Sequence, residues 1–81
     1  MPRPEESLNR AFGDVLRKAR RDANISQEEL AARSGLHRTY VSQLERGQKS
    51  PSLAVISALA ASLGQRAHDL VRAAEDLASM P

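Results

Sequence analysis

The chain has 81 residues, with 12 Lys/Arg, 10 Asp/Glu and a net charge of +2, which leaves room for one domain with a modest core. It contains no cysteine, which excludes a disulfide framework and a thiolate metal site and fits a reducing cytosol; its apolar stretches fall far short of the roughly 20 residues of a membrane span. One phenylalanine and one tyrosine, Phe12 and Tyr40, are its only aromatics, too few for the stacking platforms of a single-strand or RNA binder.

Charge is unevenly placed. Six Lys/Arg lie in residues 1–24, four in 25–50 and two in 51–81, against four, three and three Asp/Glu. A nucleic-acid face would be built from the first two thirds, whereas the Ala-rich last third suits packing against protein. The start of the chain is polar and lacks the apolar stretch of a secretory signal, so a soluble, unprocessed, cytoplasmic protein is expected.

Residues 1–6 hold two prolines and two glutamates ahead of any periodic pattern and are expected to form a flexible arm. Ser7 is a good N-cap, so the first helix should begin after it. Leu8, Phe12, Val15, Leu16 and Ala19 recur at i, i+4, i+7, i+8 and i+11, which is one apolar face of a helix. Arg17, Lys18 and Arg21 fall off that face and read as a solvated strip. Gly13 costs about 1 kcal/mol relative to Ala in a helix; the close approach of a neighbouring helix is one account of it, and chance is the other. Asp22-Ala23-Asn24 ends the element.

The next start signal is Ser26-Gln27-Glu28-Glu29, a capping box with Ser26 as N-cap and Glu29 reaching back, and Ile25 placed to staple onto Leu30. Ser34-Gly35 stops this helix after Arg33, with Gly35 suited to the left-handed conformation of a helix end. Leu36 follows as an apolar plug. A third helix carries Val41 and Leu44 with Tyr40 beside them, and Gly47 closes it. His37 stands at its N-cap in place of the usual Ser, Thr or Asp, a weaker cap. After the polar loop Gln48-Lys49-Ser50-Pro51, Ser52 caps a fourth helix carrying Leu53, Ile56, Leu59, Ala60 and Leu63, ended by Gly64. A fifth, roughly residues 66–78, carries Ala67, Leu70, Val71, Ala74, Leu77 and Ala78. Nothing alternates as a strand would. The expected fold is all-α, with five short helices and tight turns.

Residues 26–47 thus hold two helices of about eight to ten residues joined by a short turn containing Gly35, the helix-turn-helix layout. Ala31 is small enough to sit where the two helices cross. Val41 and Leu44 hold the second helix down, which leaves Arg38, Thr39, Ser42, Gln43 and Arg46 on its other side.

The run Ser26-Gln27-Glu28-Glu29-Leu30-Ala31, then Ser34-Gly35-Leu36, then Val41-Ser42-Gln43-Leu44-Glu45-Arg46-Gly47 resembles the phage repressor and Cro type of helix-turn-helix family. The likeness extends from about Phe12-Gly13 to Leu63-Gly64. The string from Leu36 to Ser42, with Glu45-Arg46-Gly47, is similar to the controller proteins of restriction–modification systems. The resemblance implies a five-helix, phage-repressor-like domain over residues 7–81 that binds double-stranded DNA. It also implies a salt bridge between Arg20, at the end of the first helix, and Glu45, at the end of the third.

Chemistry and the resemblance together suggest roles. Arg38 is expected to donate two hydrogen bonds to guanine, Gln43 to pair with adenine, and Thr39 to meet a base edge, a phosphate or a thymine methyl; Ser42 is a lesser base reader on the same face. Gln27, in the first turn of its helix, and Tyr40, Arg46, Lys49 and Ser50 are phosphate candidates. Each has a plainer reading as a solvated side chain, and Tyr40 as half-buried packing. His68 lies far from His37, so no metal ligand cluster is expected.

One recognition helix spans few base pairs, and helix-turn-helix proteins pair their half-sites through two-fold dimers. Leu70, Val71, Ala74 and Leu77 of the fifth helix are the expected homodimer interface. The expected function is a sequence-specific transcriptional regulator that occupies a palindromic operator and blocks or recruits RNA polymerase, without cofactor or small-molecule ligand, such as the controller of a restriction–modification operon. An antitoxin repressing its own operon and a co-activator module that binds protein stay open as alternatives. An enzyme is not expected, because there is no cysteine, no paired acid near a histidine and no Gly-rich phosphate loop.

Overall fold

The structure is a computed structural model that describes residues 3–81. Its elements are α1 (Pro4–Asp22), α2 (Gln27–Ser34), α3 (Arg38–Glu45), α4 (Leu53–Ser62) and α5 (Ala67–Ala78), with no strand among the described residues. The all-α, five-helix expectation holds. None of these helices is long and apolar enough to cross a membrane.

α1 begins at Pro4 rather than after Ser7, which corrects the sequence reading. Arg3 is the extended N-cap and Pro4 opens the first turn, where its fixed φ is already helical and its missing N–H costs nothing. Glu5 and Glu6 follow in that turn, where carboxylates favour the positive end of the helix dipole. Of the expected arm, residues 4–6 therefore belong to α1, and residues 1 and 2 lie outside the described residues.

The capping box at α2 is only half formed. Ser26 Oγ accepts from Glu29 N at 3.0 Å. The Glu29 carboxylate turns away and accepts from Arg33 Nε at 2.9 Å, one turn on, because an oppositely charged partner at i+4 competes for it. Ser52 caps α4 as its sequence suggests, accepting from Val55 N at 3.2 Å. His37 makes no side-chain cap bond at α3. Gly35 takes a φ of 69°, and the chain reverses there with Leu36 N donating to Ala31 O at 2.9 Å, the 6→1 bond of a Schellman ending.

α1 packs along α5 and α3, α2 against α3 and α4, and α4 against α5. The core where they meet is aliphatic: Leu16, Leu30, Val41, Leu44, Leu59 and Leu70 are each 1% exposed or less. Gly13 is buried. A Cβ there would stand 2.5 Å from Leu44 O and 2.6 Å from Glu45 O, so its bare backbone lets α1 touch the end of α3. Of the two accounts of Gly13, the close approach of a neighbouring helix is the one the structure shows. Ser34 Oγ and Ser62 Oγ, 2.8 Å apart, tie α2 to α4.

Candidate nucleic-acid interface

α3 is amphipathic by construction. Val41 and Leu44 point into the core at 0% and 1% exposure, anchoring one side of the helix. On the other side Arg38, Thr39 and Arg46 are exposed, and Ser42 and Gln43 are half-buried. The side chains expected to read bases therefore share one polar face of α3, fully open at Arg38 and Thr39 and partly open at Ser42 and Gln43. Arg46 curls back, its Nε donating to Ser42 O at 3.3 Å, which partly satisfies the end of α3. Tyr40 is half-buried and packs against the core. Lys49 and Ser50 lie exposed in the loop between α3 and α4.

Behind this face lies a buried charge. Glu45 is only 2% exposed. Arg20 meets it with both branches of its fork, Nε to Oε2 at 2.6 Å and an η nitrogen to Oε1 at 3.1 Å. Arg20 also donates to Ile25 O at 2.8 Å, which fastens the turn between α1 and α2. Gln27 Nε2 donates to Glu45 Oε1 at 3.0 Å. Arg17 Nε lies 3.7 Å from the same oxygen, and an η nitrogen of Arg17 donates to Glu45 O at 3.4 Å. One carboxylate at the end of α3 thus receives groups from α1 and α2. Burial by itself would push the Glu45 carboxyl up. The hydrogen bonds from Arg20 and Gln27, with the charges of Arg20 and Arg17, outweigh burial and hold it below the ordinary glutamate value.

Two sequence readings change here. Gln27 is not simply an open phosphate ligand: one of its donors is spent on Glu45, because a buried anion takes the nearest neutral donor once its arginine is in place. Arg17 is not merely a solvated strip residue; it is half-buried and joined to the same network. The signal for Arg17 was present in the spacing, since Gly13 and Arg17 fall four apart and share the stripe of α1 that meets α3.

The interface expected on α5 also needs correction. Leu70 and Ala74 are each 1% exposed; they face α1 and α4 and close the domain's own core, so they have almost no area to offer a partner. Val71 is half-buried and Leu77 is 38% exposed. The large exposed hydrophobics lie elsewhere as well: Leu53 at 82%, Met80 at 68% and Leu8 at 40%. Leu8, Phe12, Pro51, Leu53, Ile56 and Val71 line a shallow apolar groove between α1, α4 and α5. Periodicity marked α5 as apolar on more than one stripe but not which stripe α1 would cover.

No group of His, Asp or Glu among the described residues is arranged to hold a metal ion.

A family profile described as helix-turn-helix matches residues 16–70. Control protein C.BamHI of Bacillus amyloliquefaciens is 43% identical over 61 residues, covering 74% of this chain and 75% of that protein. An HTH-type transcriptional regulator of Sinorhizobium fredii, y4dJ, is 36% identical over 64 residues, covering 79% and 83%. Among solved structures, the restriction-modification controller protein C.AhdI from Aeromonas hydrophila aligns with a TM-score of 0.75 at 44% identity, over 76% of this chain and 94% of that one.

Proposed function

The chain belongs to the helix-turn-helix family, and we propose that it is a DNA-binding transcriptional regulator that reads a palindromic operator as a homodimer. The observation that carries this reading is the open polar face of α3, anchored from behind by Val41 and Leu44. An α-helix fits the major groove, where each base pair shows a distinct donor and acceptor pattern. Arg38, Thr39, Ser42 and Gln43 supply bidentate and single hydrogen-bonding groups suited to base edges. Gln27, Tyr40, Arg46, Lys49 and Ser50 flank them and fix the register through phosphates.

Geometry and exposed area support the homodimer. One short helix covers too few base pairs for an operator, and pairing puts two copies of α3 about one helical turn apart. In place of Leu70 and Ala74, the pairing surface is built from Val71, Leu53 and Leu8, which line the groove, and extends to the exposed Leu77 of α5. Control of a restriction–modification operon is the favoured setting, supported by the likeness to C.BamHI and C.AhdI. In that setting the dimer acts in the cytoplasm, by blocking or recruiting RNA polymerase rather than by catalysis.

Selecting duplexes from random DNA tests the reading. The expected product is a two-fold sequence with spaced halves, bound at least about 10³-fold more tightly than random duplex at fixed salt. Binding without sequence preference would reject it.

A further inference from the structure

We propose that Arg17 is a DNA-backbone contact which, with Gln27, forms a site for one phosphodiester at the edge of the helix-turn-helix unit, both side chains being held in place by Glu45. It rests on the DNA-binding reading above. The starting point is a charge imbalance. Glu45 is one carboxylate facing two guanidinium groups, and the two are not equivalent. Arg20 is 12% exposed at the side chain and holds the carboxylate at 2.6 Å, the short fork geometry of a strong ion pair. Arg17 is 38% exposed, and its Nε stands 3.7 Å away, beyond hydrogen-bond range. Arg20 therefore neutralises Glu45, and the positive charge of Arg17 is left over, on the more exposed of the two side chains.

Gln27 supplies the neutral half of the site. Its amide nitrogen carries two hydrogens, and one is directed at Glu45 Oε1. That bond fixes the orientation of the carboxamide and leaves the second hydrogen available. Arg17 and Gln27 approach the same oxygen from α1 and α2, so one carboxylate oxygen gathers both side chains.

The location fits a strand of DNA backbone. α1 lies with Gly13 against the carbonyls of Leu44 and Glu45, and with Arg10 against Gly47, whose Cβ would stand 2.8 Å from Arg10 Cα. Arg10, Gly13 and Arg17 form one stripe of α1, at i, i+3 and i+7. That stripe borders the loop bearing Arg46 and Lys49. Arg17 thus extends the basic edge of the loop toward the start of α2. A planar guanidinium suits a phosphate there.

The test is the salt dependence of DNA binding by the full chain, with melting curves to show that each variant is folded. A lost cationic phosphate contact lowers the slope of log affinity against log salt by about one unit. Arg17→Ala should do this and leave base preference unchanged; its deficit relative to the unmodified protein should shrink about three- to fourfold between roughly 50 and 200 mM salt. Arg17→Lys should restore the slope. Arg33→Ala, which removes an exposed arginine paired with Glu29 at 2.9 Å, should not change it. An unchanged slope for Arg17→Ala overturns the proposal, and so does a lower melting temperature as its only effect. The slope is read on random duplex too, so a protein that failed to prefer any selected operator would sink the operator reading while still deciding the role of Arg17.

Discussion

The two residues on which most depends are Arg38 and Glu45, and they act in different ways. Arg38 is exposed and contributes little to folding. Arg38→Ala should therefore leave the melting temperature nearly unchanged, weaken operator binding by about 1–3 kcal/mol and relax preference at one base pair; competition against single-base operator variants measures this. Glu45→Ala should do the reverse of a surface change. It leaves the largely covered guanidinium of Arg20 without its carboxylate, a loss of about 3–5 kcal/mol, seen as a melting temperature lower by more than about 10 °C. Because the folded carboxyl titrates below the ordinary glutamate value, about 4.3, its stabilisation is complete above that pH. It is lost as the pH falls through the lowered folded value. Melting curves below pH 5 should show the unmodified protein losing this contribution and Glu45→Gln lacking that loss. Of the network, the Arg20–Glu45 pair was foreseeable only through family resemblance, since the two residues are far apart in sequence. The bond from Gln27 was not foreseeable, because a sequence does not say how many donors a buried carboxylate will gather, whereas the spacing of Gly13 and Arg17 already put Arg17 on the side of α1 that meets α3.

At the scale of elements, helix positions were largely legible because each start and stop has local chemistry. Ser26 and Ser52 cap α2 and α4 through their hydroxyls, and Gly35 ends α2 in the left-handed region. The start of α1 was misread because two signals compete there: Ser7 favours an N-cap, while Pro4 followed by Glu5 and Glu6 favours a first turn. The turn wins because Ser7 can sit in the helix at small cost. Gly13 shows packing overriding propensity. Gly13→Ala gains about 1 kcal/mol of helix propensity. Its new methyl, however, meets two backbone oxygens within 2.6 Å, atoms that cannot rotate aside, and overpacking of this kind costs about 1–3 kcal/mol or more. The expected outcome is net destabilisation, read as a lower urea midpoint; a raised midpoint would mean that α1 and α3 are not in contact there.

For the whole molecule, the prediction concerns assembly. Leu53 is 82% exposed, so Leu53→Glu should not alter the stability of the isolated domain. It should shift sedimentation toward the monomer and weaken binding to a full operator more than to a half-site. A dimer unchanged by this substitution would move the pairing surface away from the groove. α4 itself reads Leu-Ala-Val-Ile-Ser-Ala-Leu-Ala-Ala-Ser, without one charged side chain. Partner choice in paired helices is ordinarily enforced by charges that repel the wrong mate, and α4 has none to contribute. Where two such regulators are made in the same cell, this helix gives no reason for like to prefer like.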